Sequence, residues 1–367
     1  FDISTTAWGD GSYTLRVNAT DLAGNLVYRS YSFVLDSTPP TIVLNSPGSG
    51  AVVRAGTTLD LSVADANLSV VTWGDGTTTT PLLSPFDIST TGWADGARSI
   101  FVYANDTSGN FAWLNFTIII DSTGPSIALV SPANGSVIRA GTILVWNISD
   151  ANLVNASFNN GTADLPLTSP FQVSTAGYVD RNYNFTIFAR DGAGNLAAAR
   201  FNFTIDSTPP QVLLLGPANG SWVPEGVTID FAVGDLHLSF LSVRLDGSPV
   251  TLDPGFDYAS NNLSDGTHTF AIVAADEAGN SRSLNATFRV DKTPPAIAWT
   301  PVDGSIVRMG TGWSVDITES NLVVAQWRNE SDIVWTNLTA SHVIDTSGWP
   351  DGPVRVFVQV NDSANHW

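Results

Sequence analysis

The chain has 367 residues, too many for one ordinary small domain, and no cysteine, so its domains are not held by disulfides. Its formal net charge is −19, which argues against nucleic acid and anionic membranes as partners because both attract basic patches. No run of 18 apolar residues occurs, so the sequence contains no candidate membrane span.

One module is repeated along the chain. The stretch DSTPP at Asp36 returns as DSTGP at Asp121, DSTPP at Asp206 and DKTPP at Asp291, each time after 85 residues. A second marker, DLAGN at Asp21, keeps the same step three times and returns once more, altered, as DSANH at Asp362. Self-similarity at a fixed period is the signature of a tandem array.

The repeat predicts five segments. They are the C-terminal part of a module at 1–36, whole modules at 37–121, 122–206 and 207–291, and a truncated module at 292–367. Phe1 aligns with Phe86, so the chain begins inside one module, and it stops at Trp367 inside another. We expect it to be a piece of a longer polypeptide, in which a signal peptide or anchor would lie outside these residues.

Within the module at 37–121, short apolar runs alternate with clusters of Gly, Pro, Asn and Asp roughly every ten residues, which is typical of a β-sandwich. The predicted strands are 41–45, 51–54, 58–64, 69–74, 79–83, 86–90, 97–104 and 111–120. Between modules the Thr-Pro-Pro sequence predicts a short stiff linker, because proline fixes φ and restricts the preceding residue.

The residues at one junction resemble a known family. The run WGDGSYTLRVNATDLAGN at 8–25 resembles the end of a bacterial Ig-like surface domain, and DSTPPTIVL at 36–44 resembles the junctions in tandem arrays of such domains. This resemblance implies an all-β fold of tandem Ig-like β-sandwich modules with an 85-residue repeat. It leaves the function open, because such arrays serve as stalks, adhesins, surface-layer components and enzyme spacers.

The triplet Asn-x-Ser/Thr, the acceptor for N-glycosylation, occurs roughly three times more often than chance predicts. It is found at Asn18, Asn67, Asn105, Asn115, Asn134, Asn147, Asn155, Asn160, Asn184, Asn202, Asn219, Asn262, Asn285, Asn329, Asn337 and Asn361. Strand alternation places six of these on polar, solvent-facing positions: Asn18, Asn115, Asn147, Asn184, Asn202 and Asn285.

The triplets have two interpretations. Asn and Thr are common in turns and on exposed strand faces, and that composition alone produces some of them. N-glycosylation of many sites is the other, and glycans would keep soluble a surface on which only 13% of residues are charged. Many acceptor triplets without any cysteine indicate an exported archaeal, or else bacterial, protein.

Acidic residues recur near the predicted junctions. In an Ig-type sandwich the entry point of a module lies near its second-to-third strand loop and its last hairpin, so these residues should converge on the linker aspartate. The predicted constellations are Asp36 with Asp65, Asn67, Asp106 and Asn110; Asp121 with Asp150, Asn152, Asp191 and Asn195; and Asp206 with Asp235, Asp276 and Asn280. In the last module Glu319 and Ser320 replace the expected aspartate.

Two interpretations of these constellations stay open. Converging carboxylates and carbonyls are what Ca²⁺ coordination needs, so calcium is the one predicted cofactor. Alternatively, Asp and Asn begin turns by bonding their own backbone, and Gly24 and its equivalents supply a positive φ in the hairpin.

Nothing in the sequence indicates catalysis. The four histidines His237, His268, His342 and His366 share no module position and no metal-ligand spacing, and no nucleotide, zinc or nucleophile motif occurs. Five of the twelve tryptophans recur at two equivalent positions, Trp8, Trp93 and Trp349 at one and Trp73 and Trp327 at the other, which predicts core packing. Trp113, Trp222 and Trp335 are the candidates for exposed contacts.

The sequence therefore predicts a non-catalytic, extracellular structural glycoprotein: a rod or filament of repeated modules at the cell surface, as a fibre, surface-layer component or stalk. Its predicted partners are further copies of itself and covalent N-glycans. One alternative is an adhesin array that binds surface carbohydrate or protein. Another is the non-catalytic spacer of a secreted enzyme.

Overall fold

A computed structural model describes residues 2–367, so Phe1 and its predicted alignment with Phe86 lie outside the described residues. Backbone contacts divide the chain into two compact units. The first holds the residues up to Ser136 together with 143–175 and 182–203, and the second holds 137–142, 176–181 and 204–367. Among the described residues, no helix has the length and apolar character needed to cross a membrane.

The strands follow the predicted pattern, and the all-β class is confirmed. The part-module has β1 (Gly11–Thr20) and β2 (Leu26–Leu35). The next segment has β3 (Thr41–Ser46), β4 (Val52–Val53), β5 (Thr58–Ala64), β6 (Leu68–Gly74), β7 (Thr79–Pro81), β8 (Ile88–Ser89), β9 (Gly96–Asp106) and β10 (Phe111–Ile120). The boundaries of β3–β10 lie within two residues of those predicted.

The later segments repeat this order of strands. The second has β11 (Ser126–Ser131), β12 (Val137–Ile138), β13 (Ile143–Ser149), β14 (Leu153–Asn159), β15 (Asp164–Leu167), β16 (Gln172–Ser174), β17 (Arg181–Asp191) and β18 (Leu196–Ile205). The third has β19 (Gln211–Gly216), β20 (Trp222–Val223), β21 (Thr228–Gly234), β22 (Leu238–Leu245), β23 (Ser248–Pro249), β24 (Asp257–Ala259), a 3-10 turn (Ser260–Asn262), β25 (Gly266–Asp276) and β26 (Ser281–Val290). The last has β27 (Ala296–Thr300), β28 (Trp313–Thr318), β29 (Leu322–Asn329), β30 (Thr336–Asn337), β31 (Val343–Ile344) and β32 (Val356–Asp362).

Each of the three complete segments forms two sheets. In the first, a three-stranded sheet has the order β3-β5-β8 and a five-stranded sheet the order β4-β10-β9-β6-β7. The corresponding orders β11-β13-β16 with β12-β18-β17-β14-β15, and β19-β21-β24 with β20-β26-β25-β22-β23, repeat this topology. In each segment the pairing is antiparallel except for one short strand that runs parallel to the last strand: β4 to β10, β12 to β18 and β20 to β26.

Strand alternation sets which side chains enter the core and which reach solvent. On β9 the side chains of Ile100, Val102 and Ala104 are buried, whereas those of Phe101 and Tyr103 between them are exposed. The buried set forms one cluster with residues of the facing sheet, such as Leu59 and Ile88. Burying each large aliphatic side chain contributes about 1.5–3 kcal/mol, so each of the three complete segments has a core that stabilises its own fold.

Candidate functional sites at the module junctions and on the strand faces

An aspartate of the preceding segment holds the start of each linker. Asp10 accepts a hydrogen bond from the Ser37 N–H through Oδ1, at 2.8 Å, and one from the Thr38 hydroxyl through Oδ2, at 2.6 Å. The same pair of bonds recurs on the next three linkers, with Asp95, Asp180 and Asp265 as the acceptors. At Asp95 the Thr123 hydroxyl and the Ser122 N–H hold the pKa of the carboxyl below its ordinary value of 3.8.

The linker aspartate itself is held by the segment that follows. The Asn67 amide donates to Oδ2 of Asp36 at 2.6 Å. The Asn110 amide nitrogen donates both to the backbone carbonyl of Asp36, at 2.9 Å, and to Oδ2 of Asp106, at 2.7 Å. One amide group therefore joins the last hairpin of the module to the linker that enters it.

The second junction repeats these contacts in a more buried form. Asn152 donates to Oδ2 of Asp121 at 2.8 Å, and Asn195 donates to the Asp121 carbonyl at 3.0 Å and to Oδ2 of Asp191 at 2.6 Å. Burial raises the pKa of Asp191, but the hydrogen bonds from Asn195 and from backbone N–H groups outweigh it and leave the pKa below 3.8. The ionised carboxylate is therefore the form that this hairpin stabilises.

Histidines take over amide positions at the third and fourth junctions. No two histidines share a module position, but each of these two replaces an asparagine that recurs in other modules, an equivalence that the sequence analysis did not recognise. His237 stands where Asn67 and Asn152 stand, and its Nδ1 lies 3.0 Å from Oδ2 of Asp206. His366 stands where Asn110 stands, with Nδ1 2.7 Å from Oδ2 of Asp362. The repeat alignment contains this signal, because imidazole shares with an amide an N–H donor for a carboxylate.

The structure brings the predicted acidic residues together. Potential ligand atoms lie within 4.8 Å of one another in four groups: Asp36, Asp65 and Asp106; Asp121, Asp150 and Asp191; Asp206, Asp235 and His237; and Asp291, Asp362 and His366. In the third group His237, not Asp276, is the third member, and Asp276 is joined to the linker through Asn280.

The turn interpretation is also visible in these clusters. Oδ1 of Asp65 accepts from the Asn67 N–H at 2.7 Å, and Oδ1 of Asp106 accepts from the N–H groups of Ser108 and Asn110. Several carboxylate oxygens are thus engaged by N–H donors of their own loops, as Asx-turns require. Calcium binding at the junctions stays a prediction.

Two arginines connect consecutive segments, a contact that the sequence analysis did not find. Arg54, which follows β4, donates through Nη2 to the carbonyl of Gly194 in the last hairpin of the following segment. Arg139 makes the same contact with the carbonyl of Gly279. Both pairs are separated by 140 residues. At the equivalent place in the third segment stands Pro224, which has no such donor.

The acceptor asparagines differ in exposure. All six that strand alternation places on the polar face are exposed. Asn67 is half-buried with its amide committed to Asp36, and Asn361 is only 6% exposed. A glycan has little room at either position, because the attached sugar must leave through the side-chain amide.

The tryptophans follow the predicted division in part. Trp93 packs against the core of its module and stacks on Trp73 with ring centroids 5.8 Å apart. Trp8, in the part-module, is exposed, which differs from the core position predicted for it. Of the three candidates for exposed contacts Trp113 is 71% exposed, whereas Trp222 and Trp335 are half-buried beside Arg289 and Arg328.

The first part of the chain matches a known family. A sequence model described as "Bacterial Ig-like domain (group 3)" matches residues 1–72. These residues include the DLAGN hairpin and the first DSTPP linker, the motifs on which the resemblance was recognised.

Two curated proteins are similar to part of the chain. Chitinase A1 of Niallia circulans is 26% identical over 208 residues, which is 49% of this chain and 28% of that protein. Halomucin of Haloquadratum walsbyi is 22% identical over 184 residues, which is 46% of this chain and 2% of that protein. The chain thus spans less than a third of either relative.

Solved structures of tandem β-sandwich proteins align only loosely. A tetra-tandem repeat from the extending region of a large adhesion protein is 18% identical, with a TM-score of 0.34 over 77% of this chain and 82% of that one. A three-Ig fragment of titin is 10% identical, with a TM-score of 0.44 over 70% of this chain and all of that one. Alignments of this quality carry no argument about function.

Proposed function

We propose that this chain, a tandem array of Ig-like β-sandwich modules, is an extracellular structural glycoprotein that works as a rod, stalk or filament. Its role is mechanical: each module buries its own core, and repetition sets the length. The observation that carries the proposal is the recurrent junction, in which the linker is hydrogen-bonded by the module before it and by the module after it.

The junction contacts support restricted bending between neighbouring modules. Asp10 fixes Ser37 and Thr38 on one side of the linker, and Asn110 fixes the carbonyl of Asp36 on the other. The proline pair that follows removes further backbone freedom. A linker with these restraints transmits orientation, unlike a flexible Gly/Ser linker.

Glycosylation belongs to the same proposal. The supporting observations are the excess of acceptor triplets and the exposure of the six strand asparagines. We leave out Asn67 and Asn361 because their amides are hydrogen-bonded and incompletely accessible. Glycopeptide mass spectrometry of the native protein tests this directly, and bare asparagines at all six strand positions would contradict it.

The mechanical role is tested by loosening the junctions. In small-angle X-ray scattering, the double variant Asn110→Ala/Asn195→Ala should broaden the distance distribution relative to wild type, because both hairpin-to-linker bonds are lost. The matched control is Asn25→Ala, since Asn25 makes the equivalent bonds within its own hairpin at Asp21. Identical scattering from the double variant and the control would contradict the proposal.

Self-association into a filament is a finer part of the proposal. Edge strands such as β7 and β15 offer unpaired backbone groups through which copies can pair. Electron microscopy and sedimentation of the purified chain over a range of concentrations would show ordered polymers. A monodisperse monomer at high concentration would contradict the filament but would be consistent with a stalk.

The similarity to chitinase A1 favours one alternative, the spacer of a secreted enzyme. A spacer needs the same restricted junctions, so scattering does not separate the two functions. Peptide mapping of the native polypeptide does, because a spacer would be isolated covalently joined to a catalytic domain. A parent polypeptide consisting only of repeated modules would exclude this alternative.

A further inference from the structure

The first complete module carries an aromatic surface that its sister modules lack. Phe101 and Tyr103 on β9 and Phe111 and Trp113 on β10 all point to solvent, with exposures of 45%, 41%, 58% and 71%. Tyr103 and Phe111 stack with ring centroids 6.0 Å apart. In the next module the positions of Phe101 and Trp113 are taken by Thr186 and Ala198. We call these four residues the aromatic face.

The neighbours of the aromatic face are small and uncharged. On β6, Thr72 stands opposite Tyr103 and Gly74 opposite Phe101. A side chain cannot replace Gly74 without movement, since a Cβ there would lie 2.2 Å from the Thr78 carbonyl oxygen. Three of the four rings, Phe101, Tyr103 and Trp113, border an open cleft of about 240 Å³. Its other walls are threonines and glycines together with Trp73, Val102 and Leu114. Such a surface suits a neutral ligand with both apolar C–H and hydroxyl groups.

One acceptor asparagine stands within this surface. Asn115 is exposed, lies directly opposite Phe101 in the ladder, and shares its strand face with Trp113 two residues earlier. Side chains directly opposite each other in an antiparallel pair have Cβ atoms about 4.5–5.5 Å apart. A sugar attached to the Asn115 amide therefore leaves the sheet between the two rings.

We propose that the N-linked glycan of Asn115 lies on the aromatic face and covers Phe101 and Trp113. Pyranose rings have apolar C–H faces that pack on aromatic rings, and removing these rings from water is favourable. The occupant of this exposed apolar surface is thus supplied by the chain itself. The inference rests on the proposed glycosylation and adds to it a structural role for one glycan.

The chain contains a matched control. Asn285 on β26 occupies the strand position equivalent to Asn115, also exposed and also in an acceptor triplet. It stands opposite Ala271, and Ser283 lies two residues earlier on the same face. A glycan at Asn285 meets no aromatic ring at these two positions, so it should project into solvent without stabilising its module.

The test compares the two sites in the whole chain purified with its glycans. Asn115→Gln should lower the unfolding midpoint of the module at 37–121 by about 4–8 °C and speed hydrogen exchange in β9 and β10. Asn285→Gln should leave its module unchanged. In protein made without glycosylation both substitutions should be neutral, which separates loss of the glycan from loss of the asparagine.

A double variant tests whether the effect of the glycan depends on the rings of Phe101 and Trp113. In Phe101→Thr/Trp113→Ala, which installs the residues of the next module, Asn115→Gln should no longer change the midpoint or the exchange rate. Glycan present at Asn115 but equal effects at Asn115 and Asn285 would overturn the inference, and the face would then be free for a soluble polysaccharide or a second copy. If Asn115 carries no glycan while other strand sites do, the inference is overturned and the proposed function stands. If no site carries a glycan, the proposal that the chain is a glycoprotein is contradicted as well.

Discussion

The junctions at Asp121 and Asp291 are built from the same repeat but differ in the residue that ends the last hairpin, an asparagine at the first and a histidine at the second. At the first, Asn195 donates both to the linker carbonyl of Asp121 and to Asp191 of its own hairpin. At the second, His366 reaches Asp362 of its hairpin, and among the described residues no hydrogen bond joins it to the Asp291 carbonyl. Asn321 still donates to the Asp291 carboxylate at 2.7 Å.

The reason lies in the donors that each side chain offers. An amide nitrogen carries two hydrogens and can bond two acceptors at once, whereas imidazole Nδ1 carries one. Histidine therefore preserves the hairpin but gives up the bond to the linker. The comparison teaches that the hydrogen bond between the last hairpin and the linker depends on the second hydrogen of one amide.

The largest expected effect comes from removing that amide at the Asp121 junction. Asn195→Ala leaves the buried Asp191 carboxylate without its side-chain donor, which should cost about 1–3 kcal/mol of stability in the module at 122–206. Hydrogen exchange resolved by module would show faster exchange in β17 and β18. Asn25→Ala, at an exposed copy of the same hairpin, should change stability much less.

The two junctions should also respond differently to calcium, because they contain different numbers of carboxylates. The Asp121 group has three carboxylates, whereas the Asp291 group has two and a histidine, a poor ligand for a hard cation. If the junction binds calcium, an excess tenfold above Kd should stabilise the module at 122–206 by about 1.4 kcal/mol. Asp150→Asn should reduce this gain, and no difference between calcium and EDTA would exclude the site.

Giving the Asp291 junction the hairpin residues of the Asp121 junction should change stability by a smaller amount, and the change should be stabilising. The pair Asn365→Gly/His366→Asn restores the D-x-x-G-N hairpin and should form the missing bond to the Asp291 carbonyl, stabilising the junction by about 1 kcal/mol. Slower hydrogen exchange across residues 291–295 would be the readout. Unchanged exchange would mean that the linker is fixed by Asn321 alone.

At low pH the stability difference between wild type and Asn195→Ala should become smaller. The folded pKa of Asp191 lies below its ordinary value of 3.8, so its stabilising contribution is complete above 3.8 and is lost as pH falls through the lowered folded pKa. Unfolding measured from about pH 5 to about pH 2 should bring wild type and Asn195→Ala closer together at the acid end. A constant gap would show that the ionised carboxylate is not what Asn195 stabilises.

The strands were predictable because each is encoded locally. Alternation of apolar residues along β9, with turn residues on either side, predicted its position to within two residues. Alternation along β10, where Leu114 and Phe116 flank Asn115, predicted that Asn115 faces solvent. The convergence of Asp36 with Asp65 and Asp106 was also anticipated, from the geometry of the sandwich.

Contacts between modules were harder to predict. The Arg54 contact with the Gly194 carbonyl depends on the angle between two modules, which no periodicity encodes. The role of Asp95 at the linker was accessible from its repetition in the D-G turn but was not recognised. His237 was missed because residue type was weighed without its place in the repeat.

The spacing of the junction bonds has a consequence for how such a chain changes over time. Asn67 and Asn152 each lie 31 residues after the aspartate they bind, Asn110 and Asn195 each lie 74 after it, and both arginine contacts span 140. Duplication or deletion of one 85-residue unit in the gene therefore returns bonding partners with these spacings to matching positions. Length can be altered by recombination alone, with no new interface to evolve.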